Sequence, residues 1–350
     1  MEQPRRRIRV AVIGAGWVGS HRHLPTLLAD KRFELVGVVD RHPERAAAAA
    51  ARFRLGRTAV TSTLADVDWL EGVDAVTIAT SPDAHARLLG EARSRGLHVL
   101  TEKPFTLDFH DAEVAATPSD NVVAVMHNFQ FARSAERLWA DLATGRLGAV
   151  RSVNAIQLSN KARRLPDWYE ELPLGLFFDE SPHLLYLLRR VVPDAALKDL
   201  DVLPGRNGRR TPQLVWARYS GDGDGEIPVT LSMNFESAVS EWYLAVHGER
   251  AVGIVDIFRD IYIRVPNDRS HTTSTVARSS LAATLGHWSG YASSGVLHVT
   301  GRLRYGVDGV IGRFAEAIAA GRDPERCGRA DALAVRRMQQ EIIDASRSAS

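Results

Sequence analysis

Three side chains in this chain stand in sequence patterns suited to moving protons. Lys103 stands in Thr101-Glu102-Lys103-Pro104, and Asp179 and His183 stand four residues apart in the stretch Gly175-Leu176-Phe177-Phe178-Asp179-Glu180-Ser181-Pro182-His183. On one continuous helix a spacing of four puts carboxylate and imidazole on a shared face. A carboxylate that holds an imidazole fixes its tautomer and raises its basicity, as removal of a hydroxyl proton requires. Pro182 suits that geometry only if the helix starts close by. Taken alone, a histidine merely packed on a helix is the commoner finding.

A second constellation binds rather than reacts. Gly14-Ala15-Gly16-Trp17-Val18-Gly19 follows an apolar stretch ending at Ile13, and Asp40 closes the next apolar stretch about twenty residues on. Gly14 permits a tight turn, Gly16 lets backbone N–H groups approach a pyrophosphate, and Gly19 allows close packing of helix on strand. The helix N-terminus adds the positive end of a dipole. Ile13, Trp17 and Val18 complete the turn. Asp40 can accept from both ribose hydroxyls, and its charge repels a 2′-phosphate, which favours NAD(H). Arg41 beside it can clamp that phosphate, so NADP(H) stays open. Beside an oxidised nicotinamide the Lys103 ammonium should have its charge disfavoured and exchange a proton near neutrality.

These residues need strands and helices to position them. From Ile8 to about Val125, apolar runs alternate with helical patterns, the signature of βαβ units around a parallel sheet. Strands are predicted at Arg9 to Ile13, Glu34 to Val39, Ala75 to Ala79, His98 to Thr101 and Val122 to Val125. Helices fall at Gly19 to Ala29, Pro43 to Phe53, Ala84 to Arg95 and Asp108 to Ala116. Lys103 then sits at a carboxyl end of the sheet, the edge where such sheets bind ligands. After Met126 the pattern changes to a helix from Arg133 to Thr144 and strand-like runs at Val150 to Leu158, Leu214 to Tyr219 and Val229 to Phe235. The run Gly221-Asp222-Gly223-Asp224-Gly225 joins the last two as an antiparallel hairpin rather than a calcium loop. Helices near Val310 to Ala320 and Ala330 to Ala345 follow. The Ser/Thr-rich stretch from Pro266 to Val296 reads as a lid, a contact arm or a plain connection. The expected organisation is a dinucleotide-binding domain at 1–125 and an α/β domain with a mostly antiparallel sheet at 126–350, whose last helices can pack back on the first.

Composition narrows the class. The chain has 350 residues, 45% of them hydrophobic, enough for two cored domains, and a formal net charge of +2 that gives no nucleic-acid stripe. The Arg5-Arg6-Arg7 run reads as a solvated tail. One cysteine, Cys327, rules out an intrachain disulfide and a cysteine zinc site. No stretch reads as a leader or a span, so a cytoplasmic protein with no metal and no membrane partner is expected.

Together these motifs resemble the glucose-fructose oxidoreductase and inositol dehydrogenase family, Gfo/Idh/MocA, across nearly the whole chain. The resemblance rests on Gly14 to Gly19, on Thr80-Ser81-Pro82 with His85, on Glu102-Lys103-Pro104, on Gly145-Arg146-Leu147-Gly148, on Asp179 to His183, and on Phe314 to Pro324 near the end. It implies an NAD(P)-dependent oxidoreductase, and a homo-oligomer (dimer or tetramer) whose open sheet makes subunit contacts. The substrate would be a sugar, sugar nucleotide or cyclitol. Lys103 and His183 would touch the reacting carbinol, Asp179 would orient His183, and Thr80, Ser81, Pro82, His85 and Glu102 would line the cofactor. An NAD-dependent glycosidase and a non-catalytic dinucleotide sensor are the alternatives on the same scaffold. Three positions depart from the family: Ser181 replaces a common glycine, Tyr186 an Asp, and Gln130 the Arg of an Asn-x-Arg element that keeps Asn128. The segment Lys161 to Tyr169 offers Arg163 and Arg164 to a phosphate and Trp168 and Tyr169 to a sugar ring, or else forms a surface loop anchored by Trp168.

Overall fold

The computed structural model describes residues 6–348 apart from 164 and 224. Arg164 and Asp224 therefore lie outside the described residues, as does Arg5. The chain divides into two compact units, residues 1–128 with 307–336, and residues 129–306 with 337–350.

The first unit holds six parallel strands: β1 Ile8–Ile13, β2 Phe33–Asp40, β3 Arg57–Val60, β4 Ala75–Ile78, β5 His98–Thr101 and β6 Val123–Val125, in the order β3-β2-β1-β4-β5-β6. Strands β4 and β6 are buried at every position, which is why they read as continuous apolar runs rather than alternating ones. The edge strand β3, Arg-Thr-Ala-Val and mostly exposed, has no such run and escaped sequence reading. Helices α1 Leu24–Ala29, α2 Pro43–Phe53, α3 His85–Ser94 and α4 Phe109–Ala115 alternate with the strands. A π-helical turn, Gly19–His23, leads into α1. The core gathers Ile13, Val39, Ile78, Leu88, Val99 and Val125 around the sheet. Residues 307–336 rejoin this unit, led by α8 Val307–Ala320. The amide of Val125 donates to the carbonyl of Cys327 at 2.7 Å, so the returning chain covers the β6 edge of the sheet.

The second unit is built on seven strands: β7 Val150–Asn160, β8 Ala196–Leu203, β9 Leu214–Gly223, β10 Gly225–Ser237, β11 Glu241–Gly248, β12 Ala251–Asp256 and β13 Ile261–Pro266. Their order is β13-β12-β11-β7-β10-β9-β8, with β7 and β10 the one parallel pair. Alternating burial along β10 and β11 marks a sheet with one covered face. Helices α5 Arg133–Ala143, α6 Leu176–Val191 and α7 Thr273–Val299 complete the unit, and α9 Arg329–Ser348 ends the chain. The stretch read as a lid, arm or connection is largely α7. It packs on β13 and exposes Leu281, Leu285 and Trp288.

Candidate active site

At the end of β1, Gly14 adopts φ +97°, and a Cβ there would lie 2.5 Å from the Ala79 carbonyl oxygen. A Cβ on Gly19 would meet the Gly14 oxygen at 2.0 Å, so both glycines are demanded by packing. Gly16 differs: no atom lies within 4 Å of where its Cβ would be. Side-chain space is left open on one side of the turn, as close approach by a pyrophosphate requires, and the residues fit a dinucleotide there. Asp40 braces this turn. Its carboxylate accepts the backbone N–H of Ala15 at 2.7 Å and that of His42 at 2.8 Å. Each oxygen keeps a lone pair for a ribose hydroxyl. Trp17 is 62% exposed and stacks on His21, with the Arg22 guanidinium 5.3 Å from its ring centre. Val18 is half-buried, Ile13 buried and Arg41 exposed.

The loop after β5 carries Lys103, which is half-buried. Its own amide donates to Glu102 at 3.2 Å, and the other Glu102 oxygen lies 2.9 Å from His23 Nε2. Burial pushes the Glu102 carboxyl up, but the hydrogen bond and charge of His23 outweigh it and hold Glu102 below its ordinary value. Sequence reasoning missed His23; its only signal was its place one turn beyond Gly19. Thr80 and Ser81 are half-buried at the end of β4, and Pro82 is buried. His85 has no exposed surface. Its Nδ1 donates to the Pro104 carbonyl at 2.8 Å and its Nε2 faces the Thr80 carbonyl at 3.2 Å. Two carbonyls would match an imidazolium, yet burial pulls the ring below its ordinary value and outweighs both, leaving it neutral. His85 thus braces the segment that follows Lys103.

In the second unit Asp179 and His183 lie one turn apart on α6. The helix begins six residues before Pro182, further back than the sequence argument allowed. Pro182 has no N–H for the Phe178 carbonyl, and the Gln339 amide donates to that carbonyl instead, at 2.7 Å. Ser181 accepts from the same amide at 2.8 Å. His183 is 8% exposed, with Phe129, Trp242 and Tyr186 around its ring. Its Nδ1 lies 2.9 Å from the Tyr186 hydroxyl.

Next along the helix, Glu180 is buried and accepts from Arg163 at 2.7 Å, from Ser159 at 3.2 Å and from Gln157. Arg163 is therefore committed to a carboxylate and offers little net charge to a phosphate. Tyr169 and Trp168 are half-buried with ring centres 4.0 Å apart; burial and the nearby charges of Asp179 and Glu180 push the Tyr169 phenol up. Asn128 and Gln130 are both buried, and the Gln130 carbonyl accepts from Trp139 at 2.7 Å. Burial pushes the Cys327 thiol up to about 12, which removes it as a nucleophile. Among the described residues no group of three His, Cys, Asp or Glu side chains is placed to hold a metal, and no helix is long and apolar enough to cross a membrane.

Residues 8–127 match a family model described as an oxidoreductase family with an NAD-binding Rossmann fold. Among curated relatives, a dTDP-3,4-didehydro-2,6-dideoxy-alpha-D-glucose 3-reductase from Actinomadura kijaniata is 34% identical over 42% of this chain and 45% of its own length. UDP-N-acetylglucosamine 3-dehydrogenase from Acidithiobacillus ferrooxidans is 38% identical over 30% of this chain and 31% of its own length. The chain spans about half the length of the curated relatives it matches. A solved structure of that Acidithiobacillus enzyme covers 97% of this chain and 98% of its own at TM-score 0.71 and 21% identity. Levoglucosan dehydrogenase, solved with NADH and levoglucosan, covers 99% and 98% at TM-score 0.77 and 15% identity. At those identities the likeness is one of fold, and it extends over both units.

Proposed function

We propose that this chain, whose residues 8–127 match the Gfo/Idh/MocA oxidoreductase family, is an NAD(P)-dependent oxidoreductase. Its substrate is the secondary alcohol or ketone of a sugar, sugar nucleotide or cyclitol. The observation that carries the reading is the glycine turn: Gly14 and Gly19 are closed by packing while Gly16 faces open space. Gly14, Gly16 and Gly19 hold the dinucleotide, which when bound supplies the acceptor or donor of a hydride. Asp40 meets its ribose, and Thr80, Ser81 and Pro82 flank it.

What remains for the chain is the hydroxyl proton. Lys103 and His183 are the groups assigned to it, with the Asp179 carboxylate one turn before His183 on α6. Arg163, paired with Glu180 at 2.7 Å, supports a substrate neutral at that contact. Trp168 and Tyr169 offer a stacking face to a sugar ring. The protein works in the cytoplasm as a homo-oligomer, which light scattering tests. NAD(H) binds more tightly than NADP(H) because Asp40 is an acid, and titration calorimetry with both cofactors measures the gap.

The deciding experiment screens sugars, nucleotide sugars and cyclitols by absorbance of the reduced cofactor. Turnover on a member of these classes supports the reading. Release of an aglycone with no net cofactor change points to the glycosidase instead, and dinucleotide binding with no turnover on any of them points to a sensor.

A further inference from the structure

We infer that Tyr186 is the positioning residue of the proton step: its hydroxyl pins Nδ1 of His183 and so presents Nε2 to the substrate oxygen. This rests on the oxidoreductase reading for its function, but its geometry stands without it. Tyr186 follows His183 by three residues on α6, and its Oη lies 2.9 Å from the imidazole Nδ1. The same Oη accepts the backbone N–H of Phe129 at 3.0 Å, which ties the phenol to a second chain segment. The phenol oxygen has two lone pairs, so it accepts the Phe129 amide with one and an Nδ1–H with the other, which puts the imidazole proton on Nδ1 and makes Nε2 the basic nitrogen.

Packing restrains the ring in the other directions. Phe129 lies 4.6 Å from the His183 ring centre at 50°, Trp242 lies 5.4 Å away at 53°, and Tyr186 meets it edge-on at 5.7 Å and 82°. With Tyr186 3% exposed, the Nδ1 contact is shielded from water that would compete for it. An imidazole caged by three aromatic rings and bonded at Nδ1 is held in one orientation, because a flip about χ2 would break the bond to Tyr186. A neutral phenol fixes the ring without the added negative charge that a carboxylate at this position would bring.

The test substitutes Tyr186→Phe, which keeps the ring and deletes the hydroxyl. Imidazole nitrogen shifts of His183, measured by ¹⁵N NMR on the full chain and assigned with a His183→Gln variant, read the contact directly. In the parent, Nδ1 is expected at a hydrogen-bonded position, and in Tyr186→Phe it moves. On the substrate found by the screen, kcat falls about tenfold or more while KM stays within about twofold, since one hydrogen bond to a reacting imidazole carries roughly that factor. A parent Nδ1 that resonates as an unbonded nitrogen, or ring shifts identical in parent and variant, overturns the proposal. So does a variant whose shifts move while kcat stays at the parental value. Failure of the oxidoreductase reading looks different: the parent then turns over no substrate, while the nitrogen shifts still report the bond.

Discussion

Gln339 donates its side-chain amide to the backbone carbonyl of Phe178 at 2.7 Å, replacing the helical N–H that Pro182 lacks. The carbonyl is buried within α6, so losing this partner removes a buried hydrogen bond and leaves the acceptor less well satisfied. Gln339→Leu is expected to lower stability by about 1–3 kcal/mol in chemical denaturation. Pro182→Ala restores a backbone N–H, so the double variant should be more stable than the sum of the single effects predicts, by about 0.5 kcal/mol or more. Strict additivity would show that the amide does not stand in for the proline's missing bond.

The glycines of the first turn should separate folding from binding. Gly16→Ala adds a methyl where nothing lies within 4 Å, so its melting temperature should match the parent while dinucleotide affinity drops at least about tenfold. In Gly19→Ala the methyl would meet the Gly14 oxygen at 2.0 Å, and stability should fall along with affinity. Calorimetric titration and thermal melts on the same samples read both effects, and a Gly16→Ala protein that binds like the parent removes the pyrophosphate from this turn.

If Lys103 and His183 handle the hydroxyl proton, Lys103→Ala and His183→Ala should each lower kcat by roughly 10²- to 10⁴-fold, or about 3–5 kcal/mol of barrier. Cofactor affinity should stay within a fewfold. Asp179→Asn should cost less, and combining it with His183→Ala should add little, because groups acting as a unit are not additive. Steady-state kinetics on the screened substrate decide, and parental turnover without His183 leaves it a structural histidine.

His85 gives a pH dependence of known sign. Burial holds its folded-state value below the ordinary histidine range, so the native protein keeps the ring neutral while the unfolded chain protonates it. Between the ordinary value near 6.5 and the lower folded one, the unfolded state binds more protons, and stability is lost as pH falls through that window. His98, also pulled down by burial, adds to the slope. His85→Gln should therefore flatten, without abolishing, the fall in melting temperature between about pH 7 and pH 5. Equal slopes in parent and variant would place the origin elsewhere.

Much of the first unit was legible because its information is local. A buried parallel strand is an apolar run, a phosphate-binding turn is a glycine spacing, and on one helix Asp179 and His183 fall a turn apart because four residues make about one turn. Strand β3 was not legible, since Arg57–Val60 is an exposed edge with no apolar pattern. The return of residues 307–336 to the first unit was left open by periodicity, which says which face of a helix is buried but not against what.

The chain's sequence by itself determined the Rossmann alternation, the glycine turn with its acid and the lysine at a strand end, because each is encoded within a few tens of residues. Tertiary structure alone decided the surroundings of those groups: His85 buried under the Lys103 loop, Arg163 committed to Glu180, Tyr186 and Phe129 pinning His183, and Gln339 completing the helix that Pro182 interrupts. Most of these contacts join positions far apart in the chain. A hydrogen bond of that kind leaves no spacing in the sequence, and it exists only once packing has brought donor and acceptor together and excluded the water that would otherwise bind both.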